Sequence, residues 1–312
     1  MKKDTVVIGT RSSALALWQA NHIAYKLRTR HPGLSVVLKE MTTKGDKILD
    51  VPLAKIGGKG LFTKELEAAM LAHEIDIAVH SLKDMPTELP EGLILAAVTK
   101  RLDAGDALVS PKYKTFDALP QGARIGTSSL RRKAQLLAVR SDLEIVDIRG
   151  NVETRLKKIE NEGLDAVVLA VAGLKRLGLA ERITEVLDPM ICLPAVGQGV
   201  LAIEARADDE EIAELLVDLE DADTRAAITA ERAFLARVEG GCQVPVAVFG
   251  EVEGERLLLQ ATIVSVDGSE SYHHQLEGFT HEAEYIGSEL AERLLRSGAK
   301  KILQEIGLLL GE

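Results

Sequence analysis

The chain has 312 residues, too many for one ordinary core, so two or three domains are expected. Its 46% hydrophobic and 28% charged residues exclude a disordered chain, and only 3% aromatics argue against a stacking platform for single-stranded nucleic acid. The net charge of −10 is concentrated in residues 200–312, while residues 1–199 are mildly basic; that pattern argues against non-specific nucleic-acid binding and for arginines clustered around a local anionic ligand.

In chain order, Thr5–Thr10 reads as a strand and Ser12–Arg30 as a helix, followed by strand Leu34–Met41. A Gly- and Lys-rich connection, Thr42–Gly60, has the composition of a lid or binding loop. Helix Leu61–His73 and strands Ile75–His80 and Leu93–Val98 complete a first α/β set. The pattern restarts with strands Ala107–Ser110 and Arg124–Gly126, helix Ser129–Val139 and strand Leu143–Ile148. A helix capped by Asn151 follows, then strand Ala166–Ala170 and a short helix. Alternating β and α predicts two α/β domains with largely parallel sheets. Beyond the apolar strand Val200–Ala205, Glu210–Val238 reads as one acidic helix. Strands Val244–Gly250, Arg256–Val266 and Ser271–Leu276 then form an antiparallel meander closed by helix Glu282–Ile306, a separate α+β domain.

Two stretches echo each other: Ile8-Gly9-Thr10-Arg11-Ser12-Ser13 and Ile125-Gly126-Thr127-Ser128-Ser129 both run strand, Gly, Thr, Ser-Ser, helix. Either is a plain N-cap taken alone; as a pair in similar units they predict two helix N-termini aimed at one anion in a cleft. Three further stretches carry chemistry. His80-Ser81-Leu82-Lys83-Asp84-Met85-Pro86 puts a lysine and an aspartate at a strand end, where α/β sheets present ligands and a carboxylate can act as acid, base or cation stabiliser. Arg131, Arg132, Arg149, Arg155 and Lys175-Arg176 recur at strand ends and helix starts, a pattern that suits bidentate recognition of several carboxylates. Arg131 and Arg132 oppose the dipole of their helix and therefore call for an anion nearby. Finally, Glu239-Gly240-Gly241-Cys242 places a thiol on a glycine-cleared turn, consistent with a covalently attached group, whereas Cys192 reads as a small core residue. Gly197-Gln198-Gly199 leads into a strand and is no dinucleotide motif, and the His and Cys spacing shows no metal site.

Taken together, Ile8–Ala16, Gly58-Lys59-Gly60-Leu61-Phe62, His80–Pro86, Gly126–Arg132, Arg149-Gly150-Asn151-Val152 and Gly240-Gly241-Cys242 resemble the porphobilinogen deaminases (hydroxymethylbilane synthases), in one order over essentially the whole chain. The resemblance implies two type II periplasmic-binding-protein-like α/β domains around a cleft, residues 1–99 with 200–217 and residues 100–199. It also implies a smaller α+β domain, residues 218–312, with a three-stranded antiparallel sheet. The implied reaction joins four porphobilinogen molecules head to tail into hydroxymethylbilane with release of four ammonia. It proceeds on a dipyrromethane cofactor held by a thioether to Cys242. The resemblance makes Asp84 the catalytic residue and assigns Arg11, Ser13, Lys83, Thr127, Ser129, Arg131, Arg132, Arg149, Arg155 and Arg176 to the carboxylates of cofactor and substrate. Phe62 and Lys59 are the implied lid contacts. Two other readings remain open on the residues alone: a two-lobed carboxylate-binding protein, which needs neither Asp84 nor Cys242, and a thiol-dependent transferase, which needs a histidine base near Cys242. Two cysteines, no spanning run of about 20 apolar residues and no secretory signal lead to the expectation of a cytoplasmic enzyme, monomeric by family analogy, with no membrane or nucleic-acid partner.

Overall fold

The computed structural model describes residues 3–47, 60–238 and 244–307. The chain divides into two compact units, the first drawn from the N-terminal residues through Leu102 with Val200–Arg225, the second from Asp103–Gly199 with Ala226 onward. Val, Ile and Thr dominate the first strand, β1 (Thr5–Arg11), whose alternate residues Val6 and Ile8 enter the core. The Ser13 hydroxyl caps the helix that follows, α1 (Ala14–Arg30), accepting from the Ala16 amide at 3.4 Å, and Arg28 and Arg30 in its last turn suit the dipole. β2 (Ser35–Met41), α2 (Lys64–Leu71), β3 (Ile77–Ser81), β4 (Leu93–Val98) and a strand returning from far down the chain, β10 (Leu201–Arg206), complete the sheet in the order β2-β1-β3-β10-β4. One face packs on Ile23, Leu27 and Leu216, the other on Leu66, Met70 and Ile75.

The second unit repeats this plan. β5 (Asp106–Val109), β6 (Arg124–Gly126), α3 (Leu130–Val139), β7 (Glu144–Val146), α4 (Val152–Asn161), β8 (Ala166–Ala170), α5 (Val171–Arg176) and β9 (Glu185–Val186) give the order β7-β6-β8-β5-β9. In both sheets the parallel strands run second, first, third, and the next strand, β10 or β5, lies antiparallel to both its neighbours. The sheets are therefore mixed, where the alternation of elements predicts largely parallel ones. Each antiparallel strand enters from outside the local β-α-β run, and periodicity is blind to that. The echoed glycines have a packing reason: a Cβ on Gly9 would collide with Ile75 and Leu66, and one on Gly126 would lie within 3.0 Å of Leu164, Ile148 and Val167.

The acidic stretch after β10 is not one helix. It breaks into α6 (Glu210–Leu216), a 3-10 turn (Val217–Leu219) and α7 (Ala222–Arg237), because the Asp221 carboxylate caps a new start by accepting from the Thr224 amide at 2.9 Å. The meander is present as β11 (Val246–Glu253), β12 (Arg256–Val264) and β13 (Ser271–Phe279), antiparallel throughout. Its inner face, with Val246, Val248, Leu257, Leu259 and Ile263, packs on Phe234 of α7 and on Ile286, Leu290 and Leu294 of α8 (Ala283–Leu294). The closing helix also differs from its sequence reading: Gly298, at φ 123°, kinks it into α8 and α9 (Lys300–Glu305).

Candidate active site

In the first unit Arg11 ends β1, and Lys83 and Asp84 lie in the 3-10 turn (Leu82–Asp84) that leaves β3. These strands are parallel neighbours, so all three residues stand at the carboxyl edge of the sheet, where open α/β folds present ligands. Asp84 is exposed and its carboxylate makes no hydrogen bond or ion pair with any described residue; Lys83 is half-buried and partnered. Arg11 is already engaged. Its Nε lies 3.1 and 3.2 Å from the two Asp46 oxygens, Nη2 pairs with the same carboxylate, and its guanidinium sits 4.3 Å over the Phe62 ring. Burial works to raise the Asp46 pKa, but Arg11 and Thr43 overcome it and hold the carboxyl below its ordinary value. Phe62 is thus docked on Arg11 and fills the space a side chain at Gly45 would need. The Ser13 oxygen accepts at the α1 cap, which leaves the hydroxyl proton as a donor. His80, earlier in the same motif, is buried with Nε2 3.0 Å from Oε2 of the buried Glu204, while Ser81 accepts from Gln19 at 2.8 Å; both hold β3 in place. Lys59 and Cys242 lie outside the described residues.

The second unit places Thr127, Arg149 and Arg176 beyond the ends of β6, β7 and β8, again along one carboxyl edge. The Thr127 hydroxyl accepts from the Ser129 amide at 3.2 Å, and the Ser129 hydroxyl caps α3 by accepting from the Arg132 amide at 3.4 Å. Asn151 caps α4 in the same manner, and Arg155 Nε donates to the Gly150 carbonyl at 2.8 Å, bracing the turn that carries Arg149. Arg131 and Arg132 are buried at the start of α3. The anion their position calls for is present, and it belongs to the protein: Asp106, fully buried at the start of β5, takes Arg131 Nη1 at 2.7 Å and Arg132 Nε and Nη2 at 2.9 and 2.7 Å. Burial pushes the Asp106 pKa up, and the two guanidinium charges more than reverse this, holding the carboxyl well below the ordinary carboxylate range. Cys192, as its sequence context indicates, is a core residue; burial and the neighbouring Asp106 charge push its thiol up to about 12, so it stays protonated and donates to Asp106 at 3.3 Å.

Arg176 differs from this pair. It is only 8% exposed, and its interactions amount to one donated hydrogen bond, Nη2 to the Gly199 carbonyl at 2.7 Å, with no carboxylate among the described residues. Burial alone pulls its pKa down to about 10. Sequence reasoning missed Asp46 and Asp106, and it picked out the stretches holding Gln198 and Glu231 without giving either residue its partner. Asp106 carried one usable signal: an acid beginning an otherwise apolar strand in a chain segment that later supplies two adjacent arginines.

Comparison with known proteins covers most of the chain. Residues 6–214 match the family model described as porphobilinogen deaminase, dipyromethane cofactor binding domain, and residues 225–296 match porphobilinogen deaminase, C-terminal domain. The porphobilinogen deaminase of Trichlorobacter lovleyi is 57% identical over 299 residues, 96% of each chain. That of Syntrophotalea carbinolica is 55% identical over 308 residues, 99% of this chain and 98% of the other. Among solved structures, the methionine binding protein MetQ superposes with a TM-score of 0.44 at 17% identity, covering 69% of this chain and 89% of that one. Family models over both the sheet-bearing and the C-terminal regions, together with relatives more than half identical from end to end, establish that this chain belongs to the porphobilinogen deaminase family.

Proposed function

We propose that the arginines of the second unit hold the carboxylate side chains of porphobilinogen-derived rings, that Asp84 of the first unit serves the reacting carbon, and that Cys242 carries the dipyrromethane through a thioether. The activity itself, porphobilinogen deamination in tetrapyrrole biosynthesis with a dipyrromethane cofactor, comes with the family. Arg176 is the observation that carries the residue-level reading. A buried guanidinium with no carboxylate partner among the described residues is costly, and the cost is relieved when a ligand carboxylate arrives. Each porphobilinogen ring brings an acetate and a propionate, the ligand chemistry that Arg176 fits, and each charge-assisted contact contributes about 1.5–3 kcal/mol.

When bound, the dipyrromethane supplies the pyrrole carbon onto which new units are joined. The chain's own residues do the rest. Asp84 is an exposed carboxylate at a sheet edge with no described partner to neutralise it. It stabilises the positive charge that develops at the substrate methylene carbon as ammonia leaves, and it can accept a proton as the new carbon–carbon bond forms. Arg149 and Arg155 extend the cationic edge for a lengthening chain, with Lys83, Arg11, Ser13, Thr127 and Ser129 completing the carboxylate contacts. Phe62 and Lys59 border the reacting ring. The same reading assigns residues 218–312 to a third domain bearing Cys242 and has the enzyme working as a cytoplasmic monomer.

The test is Arg176→Leu. Removing a buried charge that no described carboxylate balances leaves the cofactor-free protein as stable as the parent or more so, while porphobilinogen turnover falls at least about tenfold and partly elongated chains accumulate at one fixed length. Equal slowing of every addition, or turnover equal to the parent, contradicts the assignment.

A further inference from the structure

The Gly197-Gln198-Gly199 stretch and the buried Asp106 belong to one network, and that network holds the second unit's arginines from behind. Asp106 Oδ1 accepts from Arg132 Nε and Nη2 and from Gln198 Nε2 at 3.0 Å; its Oδ2 accepts from Arg131 Nη1 and from the Cys192 thiol. Gln198 is 1% exposed and donates from the same amide nitrogen to the Ala104 carbonyl at 2.6 Å, so its reach to Asp106 is fixed. The next residue, Gly199, gives its carbonyl to Arg176, and the one before, Gly197, donates its amide to Glu231 Oε2 at 2.7 Å. Glu231 is itself fully buried and takes the Gly250 amide on its other oxygen at 2.9 Å, tying the stretch to β11.

We propose that Asp106 is a positioning residue for this reaction: with Gln198 it fixes the aim of Arg131 and Arg132, and through the Gln198–Gly199 backbone it fixes Arg176, so that Arg131 and Arg176 meet ligand carboxylates already oriented. The charge arithmetic separates this role from an ordinary structural ion pair. Arg131 and Arg132 share the single Asp106 carboxylate, and the Cys192 thiol beside it stays neutral, which leaves that pair one positive charge in excess, while Arg176 meets no carboxylate among the described residues. A structural pair is complete once neutralised; this cluster is incomplete until anions bind. Arg132 commits all three nitrogens to the protein, Nε and Nη2 to Asp106 and Nη1 to the Val168 carbonyl at 3.1 Å, so Arg131 is the one whose contacts leave an edge open. Arg131 makes its side-chain contacts to Asp106, Cys192 and the Leu193 carbonyl through Nη1, so Nε and Nη2 have no described partner. A clamp on one edge of a planar guanidinium turns the opposite edge into a preset fork for a carboxylate.

The inference rests on the carboxylate-binding reading above. Its test uses the full chain carrying Asp106→Asn and Asp106→Glu, with three readouts on soluble, folded protein: the fraction bearing the covalent cofactor by intact mass, KM and kcat for porphobilinogen, and thermal stability. For Asp106→Asn the expected results are at least a fivefold loss of cofactor occupancy and a KM raised at least tenfold in the fraction that is loaded. Asp106→Glu, which keeps the charge, is expected to recover at least half the occupancy. A folded Asp106→Asn protein with parental occupancy and KM overturns the proposal, even where its melting temperature is lowered. Should Asp106→Asn fail to fold, Gln198→Met removes one donor while leaving every charge in place. A threefold or larger rise in KM then supports the proposal, and a parental KM overturns it. Arg176→Leu and Arg131→Met controls keep the two readings apart. Normal binding in these arginine variants defeats the carboxylate reading; impaired binding there beside a normal Asp106→Asn defeats the positioning role alone.

Discussion

Asp84 and Cys192 are both small acids in sequence, and their surroundings give them opposite chemistry. Asp84 stands exposed and unpartnered among the described residues at the end of β3, so replacing it should change charge at the proposed reaction centre and little else. Asp84→Asn is expected to lower kcat by about 100-fold or more with an unchanged melting temperature, and Asp84→Glu to keep part of the rate; parental turnover in the asparagine variant removes Asp84 from the mechanism. Cys192 is sealed beside Asp106 with its thiol pushed up to about 12 from an ordinary 9.0. Because the folded value is raised, the thiol's contribution to stability is complete below pH 9 and is lost as pH rises towards 12. At pH 8, iodoacetamide should therefore leave Cys192 unmodified in the native protein and label it after denaturation, as peptide mapping will show. Labelling at equal rates in both states would mean the site opens. The acids that matter at this scale were only half legible. Asp84 stood out because a lysine and a proline flanked it at a strand end. Asp106 did not, since its meaning depends on Arg131 and Arg132, which follow it by 25 and 26 residues and meet it only through the fold of the second unit.

At the scale of elements, periodicity located the strands and helices well and their directions poorly. β1, β3, β6 and β8 lie within one or two residues of their sequence readings; β1, β3 and β8 alternate apolar residues between two cores, and β6 is marked by Ile125 beside the Gly126 turn. What a local pattern cannot carry is the pairing of β10 with β3 and β4, or of β5 with β8 and β9, which makes both sheets mixed. Close helix packing was equally hidden. Gly287 of α8 faces Ala230 of α7 so closely that a Cβ would overlap the Ala230 carbonyl oxygen and lie 2.9 Å from the Ala233 Cβ. Backbone cannot step aside as a side-chain tip can, so Gly287→Ala should destabilise the protein by about 2–4 kcal/mol, read as a lower melting temperature and denaturation midpoint. An unchanged midpoint would show that α7 and α8 slide apart without cost. Helix propensity alone predicts the opposite sign, since alanine favours a helix over glycine by about 1 kcal/mol.

For the molecule as a whole, the repeated strand order gives the echoed motifs their meaning. Gly9-Thr10 and Gly126-Thr127 lie at the ends of equivalent strands in the two sheets, each followed by a serine-capped helix. The sequence showed the echo and the arginines; it did not show that both serine oxygens accept at caps, nor that Arg11 and the Arg131–Arg132 pair already hold protein carboxylates. In the proposed reading, those internal anions shift the weight of ligand recognition towards Arg176 and the edge of Arg131 that has no described partner. The proposed primer at Cys242 is read most directly in the intact mass of the purified, denatured chain, with Cys242→Ser as control. The expected result is an excess equal to two deaminated pyrrole units in the parent and none in the control. An unmodified parent that still gains no mass when incubated with porphobilinogen would contradict the account.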